Sequence, residues 1–335
     1  MHKTSSLALS YFQQAAACYQ KAQYVEAIQH YLLGLEYDQS RYHIYADLAK
    51  AYEMVGKWEQ ALFYLDIALQ LSPDSQTVLR RKARIKEEKK YYQTLISNSG
   101  LVENVPPNFT PILQTKNVAR PTQIVTSHSL QWTVEPAVSQ KTLWHIYQLI
   151  EKTNNEIGIK LHCYPQHQIQ ITIINTYDLP TQTLMPRWAS GCYNGQIQVC
   201  YCADGEPELG VLYTLIRHEW THLLIDMLIH GNCPMWLNEG LAQTMARPLF
   251  SFEKLTLHQA NYNGELPTIS ELNQPFTELP TSQRKIAYLQ SAAIVTNLID
   301  EGGFSSIQQL LHHLGNGIPI EIAMQQTYQK PVIPK

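Results

Sequence analysis

The sequence predicts an α+β fold in which an all-helical repeat region precedes a domain with a small mixed sheet and a helical C-terminal part. Three observations lead to this prediction. The first hundred residues repeat at a fixed spacing, apolar and polar residues alternate near position 170, and long apolar helical patterns follow position 209. The chain has 335 residues, of which 44% are hydrophobic, so it is long enough to form two domains with buried cores.

The repeat in the first hundred residues has a spacing of 34 positions. Each copy contains two helical apolar patterns separated by a polar turn, and small residues fall opposite small ones. The matched pairs include Ala15 with Ala49, Tyr24 with Trp58, and Ala27 with Ala61. This pattern resembles the tetratricopeptide repeat (TPR), in which small residues let two helices pack closely. The likeness implies a surface that could bind a protein partner.

A further helical pattern, Gln76 to Ser97, is predicted to cap the repeats with a polar outer face. Its basic run, residues 80–84, is either a solvated helix face or a site for an acidic partner. After this helix the periodicity stops, and prolines accumulate between positions 106 and 121. The predicted organisation is therefore TPR-like repeats at 1–98, a linker or extended lead-in at 99–133, and a second domain at 134–335.

The second domain begins with a mixed pattern. A helix is predicted from Lys141 to Ile157, and the alternation from His167 to Ile174 predicts a strand. Two further strands, Arg187–Tyr193 and Gln196–Cys202, flank the dipeptide Asn194-Gly195, which strongly favours a hairpin turn. These strands form the predicted sheet.

Helices dominate the rest of the chain. A long apolar helix is predicted from Leu209 to Ile229, and Gly231 followed by Pro234 should end it. A second helix is expected from Met235 to Arg247, and three more between positions 281 and 329. The stop allows the second helix to fold back beside the first.

The first of these helices carries the segment His218-Glu219-Trp220-Thr221-His222. Residues four apart lie on one face of a helix, so both imidazoles can reach a single metal ion. Glu219 lies about 100° further round the helix, where it can act as a general base without being a ligand. A catalytic zinc site normally has a third protein ligand, which must come from elsewhere.

Two sources of that third ligand can be compared. Metzincins use a histidine six residues after the second one, with a glycine between, but Ile225 and Leu228 occupy those positions here. A carboxylate on the following helix is the alternative, and Glu239 supplies it because the helix folds back. Glu239 could also be an ordinary carboxylate favoured by the helix dipole.

The segment Trp236-Leu237-Asn238-Glu239-Gly240-Leu241-Ala242 closely resembles the third-ligand helix of gluzincins, the group that contains thermolysin and the zinc aminopeptidases. The match is strongest to peptidase MA-like domains and extends over residues 134–328. This resemblance implies a thermolysin-like fold and one zinc ion (Zn2+) per chain, held by His218, His222 and Glu239.

The same resemblance implies roles for two other regions. Tyr288 would donate a hydrogen bond to the oxyanion of the transition state, although a tyrosine on such a helix can equally be a core residue. The resemblance makes residues 191–199 an edge strand that pairs with an extended peptide, with Gly191, Cys192 and Tyr193 as substrate-binding residues.

Two side chains are candidates for orienting His222 through its second ring nitrogen. Asp226 lies one turn further along the helix, and Asn238 precedes the third candidate ligand. The competing interpretation of Asp226 is a carboxylate that faces solvent.

The predicted function is that of a zinc metallopeptidase that hydrolyses peptide bonds with Glu219 as the base. The Gly-x-Met-Glu-Asn signature of the aminopeptidase branch is absent, which favours an endopeptidase. The competing hypothesis is a non-catalytic interaction protein, in which the TPR-like repeats bind a partner and the peptidase-like domain is a retained scaffold.

Composition limits the other possibilities. A net charge of −3 provides no broad electrostatic footprint for nucleic acid. No segment reaches the ~18 apolar residues of a membrane span, and the N-terminus shows no secretory signal, so we expect a cytoplasmic location. Six cysteines at irregular spacing predict free thiols rather than a disulfide framework.

Overall fold

A computed structural model of the chain describes residues 2–106, 114–116, 122–126, 130–134, 139–165, 169–175, 189–201 and 208–329. The chain forms two compact units, the first centred on residues 1–98 and the second beginning at Ser99. Within the described ranges, no helix has the length and apolar character needed to cross a membrane.

The described part of the first unit consists of helices α1 (His2–Gln20), α2 (Tyr24–Leu35), α3 (Tyr42–Met54), α4 (Trp58–Leu71) and α5 (Gln76–Ser97). Helix α1 packs on α2, α3 packs on α4, and α5 packs on α4. Ala27 and Ala61, which match in the repeat, are both completely buried. Two helical hairpins and a final helix therefore correspond to the two predicted repeats and their cap.

The basic run of α5 binds acidic residues of the preceding helices. Arg81 Nη1 lies 2.8 Å from Glu53 Oε2 on α3, and Arg84 pairs with the same carboxylate. Lys82 pairs with Asp66 on α4. These ion pairs indicate that the run stabilises the packing of α5, and they argue against a free site for an acidic partner.

The second unit contains a six-stranded sheet in its described part, with the order β1-β2-β3-β4-β6-β5. The strands are β1 (Gln114–Lys116), β2 (Thr122–Thr126), β3 (Leu130–Val134), β4 (Ile169–Asn175), β5 (Ala189–Tyr193) and β6 (Ile197–Tyr201). Strand β4 pairs in parallel with β3 and β6, and the other neighbours are antiparallel.

Strand β5 lies at one edge of this sheet and pairs with β6, with Gly191 opposite Val199. The predicted hairpin is confirmed, and Gly195 in its turn has a φ of 89°, which favours glycine. The edge strand is shorter than predicted, because residues 197–199 belong to the inner strand β6.

The segment predicted as a linker, residues 99–133, contributes to the sheet. Strands β1 and β2 and most of β3 lie within it. Leu130 on β3 pairs with Ile169 on β4, which is distant in sequence. The short strands are stabilised by this pairing and not by a local pattern, so the sequence did not predict them.

The helices of the second unit are α6 (Gln140–Leu161), α7 (Leu209–Ile229), α8 (Met235–Ala246), α9 (Ser251–Asn263), α10 (Ile269–Leu272), α11 (Thr281–Gly315) and α12 (Ile320–Tyr328). The breaks predicted near Gly303 and Pro319 are confirmed, since Gly303 has a non-helical conformation inside α11. Helices α9 and α10 were not predicted. Helix α7 is central, because it packs against α6, α8, α11, β5 and β6.

Candidate active site

A tight reversal joins the two helices that carry the candidate ligands. His230 and Gly231, which follow α7, have φ values of 52° and 87°. Pro234 is the N-cap residue of α8, as the predicted helix stop requires. Helix α8 then packs against α7 and returns along it.

His218, His222 and Glu239 come together on the facing surfaces of α7 and α8. The two imidazole Nε2 atoms are 3.1 Å apart. Glu239 Oε2 lies 3.6 Å from His218 Nε2 and 3.7 Å from His222 Nε2. Three atoms that can each donate a lone pair therefore form a nearly equilateral triangle.

This triangle fits a tetrahedral zinc ion. Zinc at about 2.0–2.1 Å from its ligands holds them about 3.3–3.4 Å apart, close to the distances observed here. Glu239 Oε2 is buried and has no hydrogen-bond partner among the described residues. Such a convergence of nitrogen and carboxylate atoms is unfavourable without a cation between them.

Asn238 contacts the second ring nitrogen of His222. Its side-chain oxygen lies 2.8 Å from His222 Nδ1, and because an amide oxygen only accepts hydrogen bonds, this contact suits the tautomer with a proton on Nδ1 and a lone pair on Nε2. His218 Nδ1 is buried and lacks a partner within the described ranges. Burial, then the charges of His222 and Arg247, keep the pKa of His218 well below its usual value, which leaves the ring neutral and able to bind metal.

Glu219 is also buried, with 2% of its surface exposed. Burial raises its pKa to about 7, and the charge of Glu239 adds to this effect while His222 opposes it. A carboxyl group with a pKa near neutrality can accept and return a proton under physiological conditions. This is the property that a general base needs.

Arg217, which the sequence did not predict as a site residue, lies next to His218 and links α7 to two other helices. Its Nε donates to the Met245 carbonyl on α8 at 2.7 Å, and its guanidinium pairs with Glu156 on α6. The three helices are therefore held together at the level of the candidate ligands. No sequence signal could reveal this role, because both partners are distant along the chain.

Gly240 explains how α11 approaches the site. A Cβ atom at this position would lie 2.5 Å from the carbonyl oxygen of Ser291 on α11, so only glycine allows the two helices to pack this closely. Tyr288 lies one turn before Ser291 and packs edge-to-face on Phe276, with ring centroids 4.9 Å apart.

The phenol of Tyr288 is electrostatically linked to the candidate site. Burial raises its pKa, and the negative charges of Glu239 and Glu219 raise it further. The group therefore remains protonated and can donate a hydrogen bond. The side chain of Tyr288 is half-buried, and both interpretations, oxyanion donor and core residue, stay predictions.

Strand β5, which carries Gly191, Cys192 and Tyr193, packs against α7. The Tyr193 hydroxyl donates a hydrogen bond to Asp226 Oδ2 at 2.9 Å. Asp226 was predicted to orient His222, and this prediction is wrong. The side chain of Asp226 is exposed and binds the strand, whereas the ring nitrogen of His222 faces Asn238 on α8.

Comparisons with known proteins agree with this organisation. A family model of the tetratricopeptide repeat matches residues 43–85, which span α3, α4 and part of α5. No curated protein sequence matches the chain significantly. A family model of the Peptidase MA superfamily matches residues 148–332. Since this match covers more than half of the chain and includes α7, α8 and α11, the chain belongs to the Peptidase MA superfamily and carries a tetratricopeptide repeat ahead of that domain.

Proposed function

We propose that this chain is a zinc-dependent endopeptidase of the gluzincin type, with a thermolysin-like arrangement of its peptidase domain. The observation that carries the proposal is the convergence of His218, His222 and Glu239 within hydrogen-bond to ion-pair distances. The buried carboxyl group of Glu219 on the same helix supports it.

The chemistry divides between the metal and the protein. When bound, zinc would polarise the scissile carbonyl and lower the pKa of the attacking water. Glu219 takes a proton from that water while the new C–O bond forms. It then passes the proton to the amine nitrogen as the C–N bond breaks. Asn238 keeps His222 in the ligand-competent tautomer throughout.

Tyr288 and strand β5 complete the proposed site. The protonated phenol donates a hydrogen bond to the oxyanion, whose charge develops only in the transition state. An extended peptide pairs with the free edge of β5, so main-chain hydrogen bonds at Gly191 and Cys192 provide affinity. The absence of the Gly-x-Met-Glu-Asn signature supports cleavage inside a peptide and not at its amino terminus.

The decisive experiment compares the wild-type protein with Glu219→Gln. We expect about one zinc per chain in both proteins and cleavage of a pool of unstructured peptides by the wild type, reduced about 10²–10⁴-fold in the variant. Glu278→Gln makes the same chemical change at an exposed position and should retain full activity. Equal cleavage by wild type and Glu219→Gln, or a wild type that binds no zinc, would exclude the proposed mechanism.

Tyr288→Phe tests the oxyanion donor separately. It removes one hydroxyl and keeps the ring that packs on Phe276. We expect kcat to fall about 10²-fold with unchanged zinc content, because the lost bond forms only in the transition state. An unchanged kcat would assign Tyr288 to the core.

The alternative is an interaction protein that keeps a peptidase-like scaffold. This alternative predicts a protein that binds zinc but cleaves no peptide, or that does neither. It also predicts that the repeats bind a protein partner. We propose residues 1–98 as that interaction unit and residues 134–335 as the peptidase domain. The retained Glu219 favours the enzyme, since a scaffold gains no stability from a buried carboxyl group whose charged form burial disfavours.

A further inference from the structure

Tyr193 and Asp226, for which the sequence predicts separate roles, form a hydrogen bond with each other. Tyr193 is the last residue of the edge strand β5, and Asp226 lies on α7, one helical turn beyond His222. The Tyr193 hydroxyl donates to Asp226 Oδ2 at 2.9 Å. The bond thus connects the edge strand directly to the helix that carries two candidate zinc ligands.

The bond is solvent-exposed and joins a neutral hydroxyl to a carboxylate. A hydroxyl that donates to a carboxylate forms a stronger bond than a neutral pair. Burial, the hydrogen bond and the charge of Asp226 raise the pKa of Tyr193 to about 12. The phenol consequently keeps its proton at physiological pH.

The position of the bond gives it a mechanical role. Among the described residues, strand β5 forms a hydrogen-bond ladder only with β6. At its end the chain turns through Asn194-Gly195, and both of these residues are exposed. The Tyr193–Asp226 bond adds a polar attachment to the packing of β5 on α7, and it opposes opening of this end of the strand.

We propose that the Tyr193–Asp226 bond anchors the edge strand to α7 and sets its distance from the zinc ligands. This inference rests on the proposed function, because it assumes that a substrate peptide pairs with β5. Tyr193 is then a positioning residue instead of a substrate contact. Asp226 holds the strand in place and does not orient His222.

Hydrogen exchange tests the anchor without any need for catalysis. In Tyr193→Phe, we expect the amides of residues 189–193 to exchange about threefold to tenfold faster, because one hydrogen bond no longer opposes strand opening. Exchange within α8 should not change. Tyr262→Phe is the matched control, since its side chain is 87% exposed.

Kinetics test what the anchor does for the substrate. Tyr193→Phe and Asp226→Ala should each raise KM about threefold to tenfold, with little change in kcat or zinc content. The double variant should be no worse than either single variant, since both remove the same bond. A general loss of folding would lower zinc content and kcat as well.

The possible failures are distinguishable. Unchanged exchange at residues 189–193 in Tyr193→Phe overturns the anchor, whatever the activity. Faster exchange with unchanged KM overturns the link between the anchor and the substrate. Additive effects of the two substitutions show that the residues act independently. A wild-type protein that cleaves no peptide refutes the proposed function, while the exchange result still decides the anchor.

Discussion

Polar side chains have different partners in the helical repeats and in the α7–α8 site. In the repeats, Arg81 and Arg84 share the carboxylate of Glu53, so charge stabilises the packing of helices. In the site, Glu239 Oε2 is buried without a hydrogen-bond partner among the described residues and faces the Nε2 atoms of His218 and His222. Buried groups of this kind reduce stability unless something binds them. The contrast indicates that these charges of the repeats stabilise helix packing, whereas the polar atoms of the site are arranged to hold a ligand.

Among the substitutions that compare these two regions, the largest effect is expected from removing the Asn238 side chain, which contacts His222. Asn238→Ala should weaken zinc binding about 10–100-fold, because the imidazole loses its hydrogen-bond partner. Competition with a chelator measures this change. Asp226→Ala is the control, and it should leave zinc affinity unchanged since Asp226 binds Tyr193. Equal losses in both variants would restore Asp226 as a partner of His222.

The second largest effect is expected to be a loss of stability when the close packing of α8 on α11 is disturbed. Gly240→Ala should lower the free energy of unfolding by about 1–3 kcal/mol, because the new methyl group would meet the Ser291 backbone. Gly158→Ala is the matched control. The three atoms nearest its new methyl group belong to the side-chain ring of Tyr164, which is 41% exposed and can shift more easily than backbone. Chemical denaturation that finds equal changes in the two variants would contradict the close approach of α8 and α11.

The smallest effect is expected in the repeats. Glu53→Gln should reduce the free energy of unfolding by about 1 kcal/mol, since two guanidinium groups lose their anionic partner. The loss should shrink in 1 M salt, which screens these charges. Glu36→Gln, at an exposed position, should have no measurable effect. A salt-independent loss would point to packing and not to charge.

Local signals predicted much of the architecture. The turn at Gly231 and Pro234 correctly indicated where α7 ends, and the 34-residue repeat indicated the helical hairpins. Helical spacing also placed His218 and His222 on one face. These features depend on residues close together in the chain, which is why sequence patterns reveal them.

Features that depend on distant residues were not predictable. Strand β3 forms because it pairs with β4, and Arg217 acts through Glu156 and Met245. The role of Asp226 was misassigned for the same reason. Its helical spacing from His222 suggested one partner, whereas the tertiary fold supplied another on β5.

X-ray absorption at the zinc edge of the purified 335-residue chain tests the central claim most directly. We expect about one zinc per chain, bound by nitrogen and oxygen atoms at about 2.0–2.1 Å, with scattering from two imidazoles. Glu239→Ala should remove one oxygen from this shell and weaken zinc binding. A shell that contains sulfur, or a spectrum that Glu239→Ala leaves unchanged, would contradict the assignment of His218, His222 and Glu239 as the metal site.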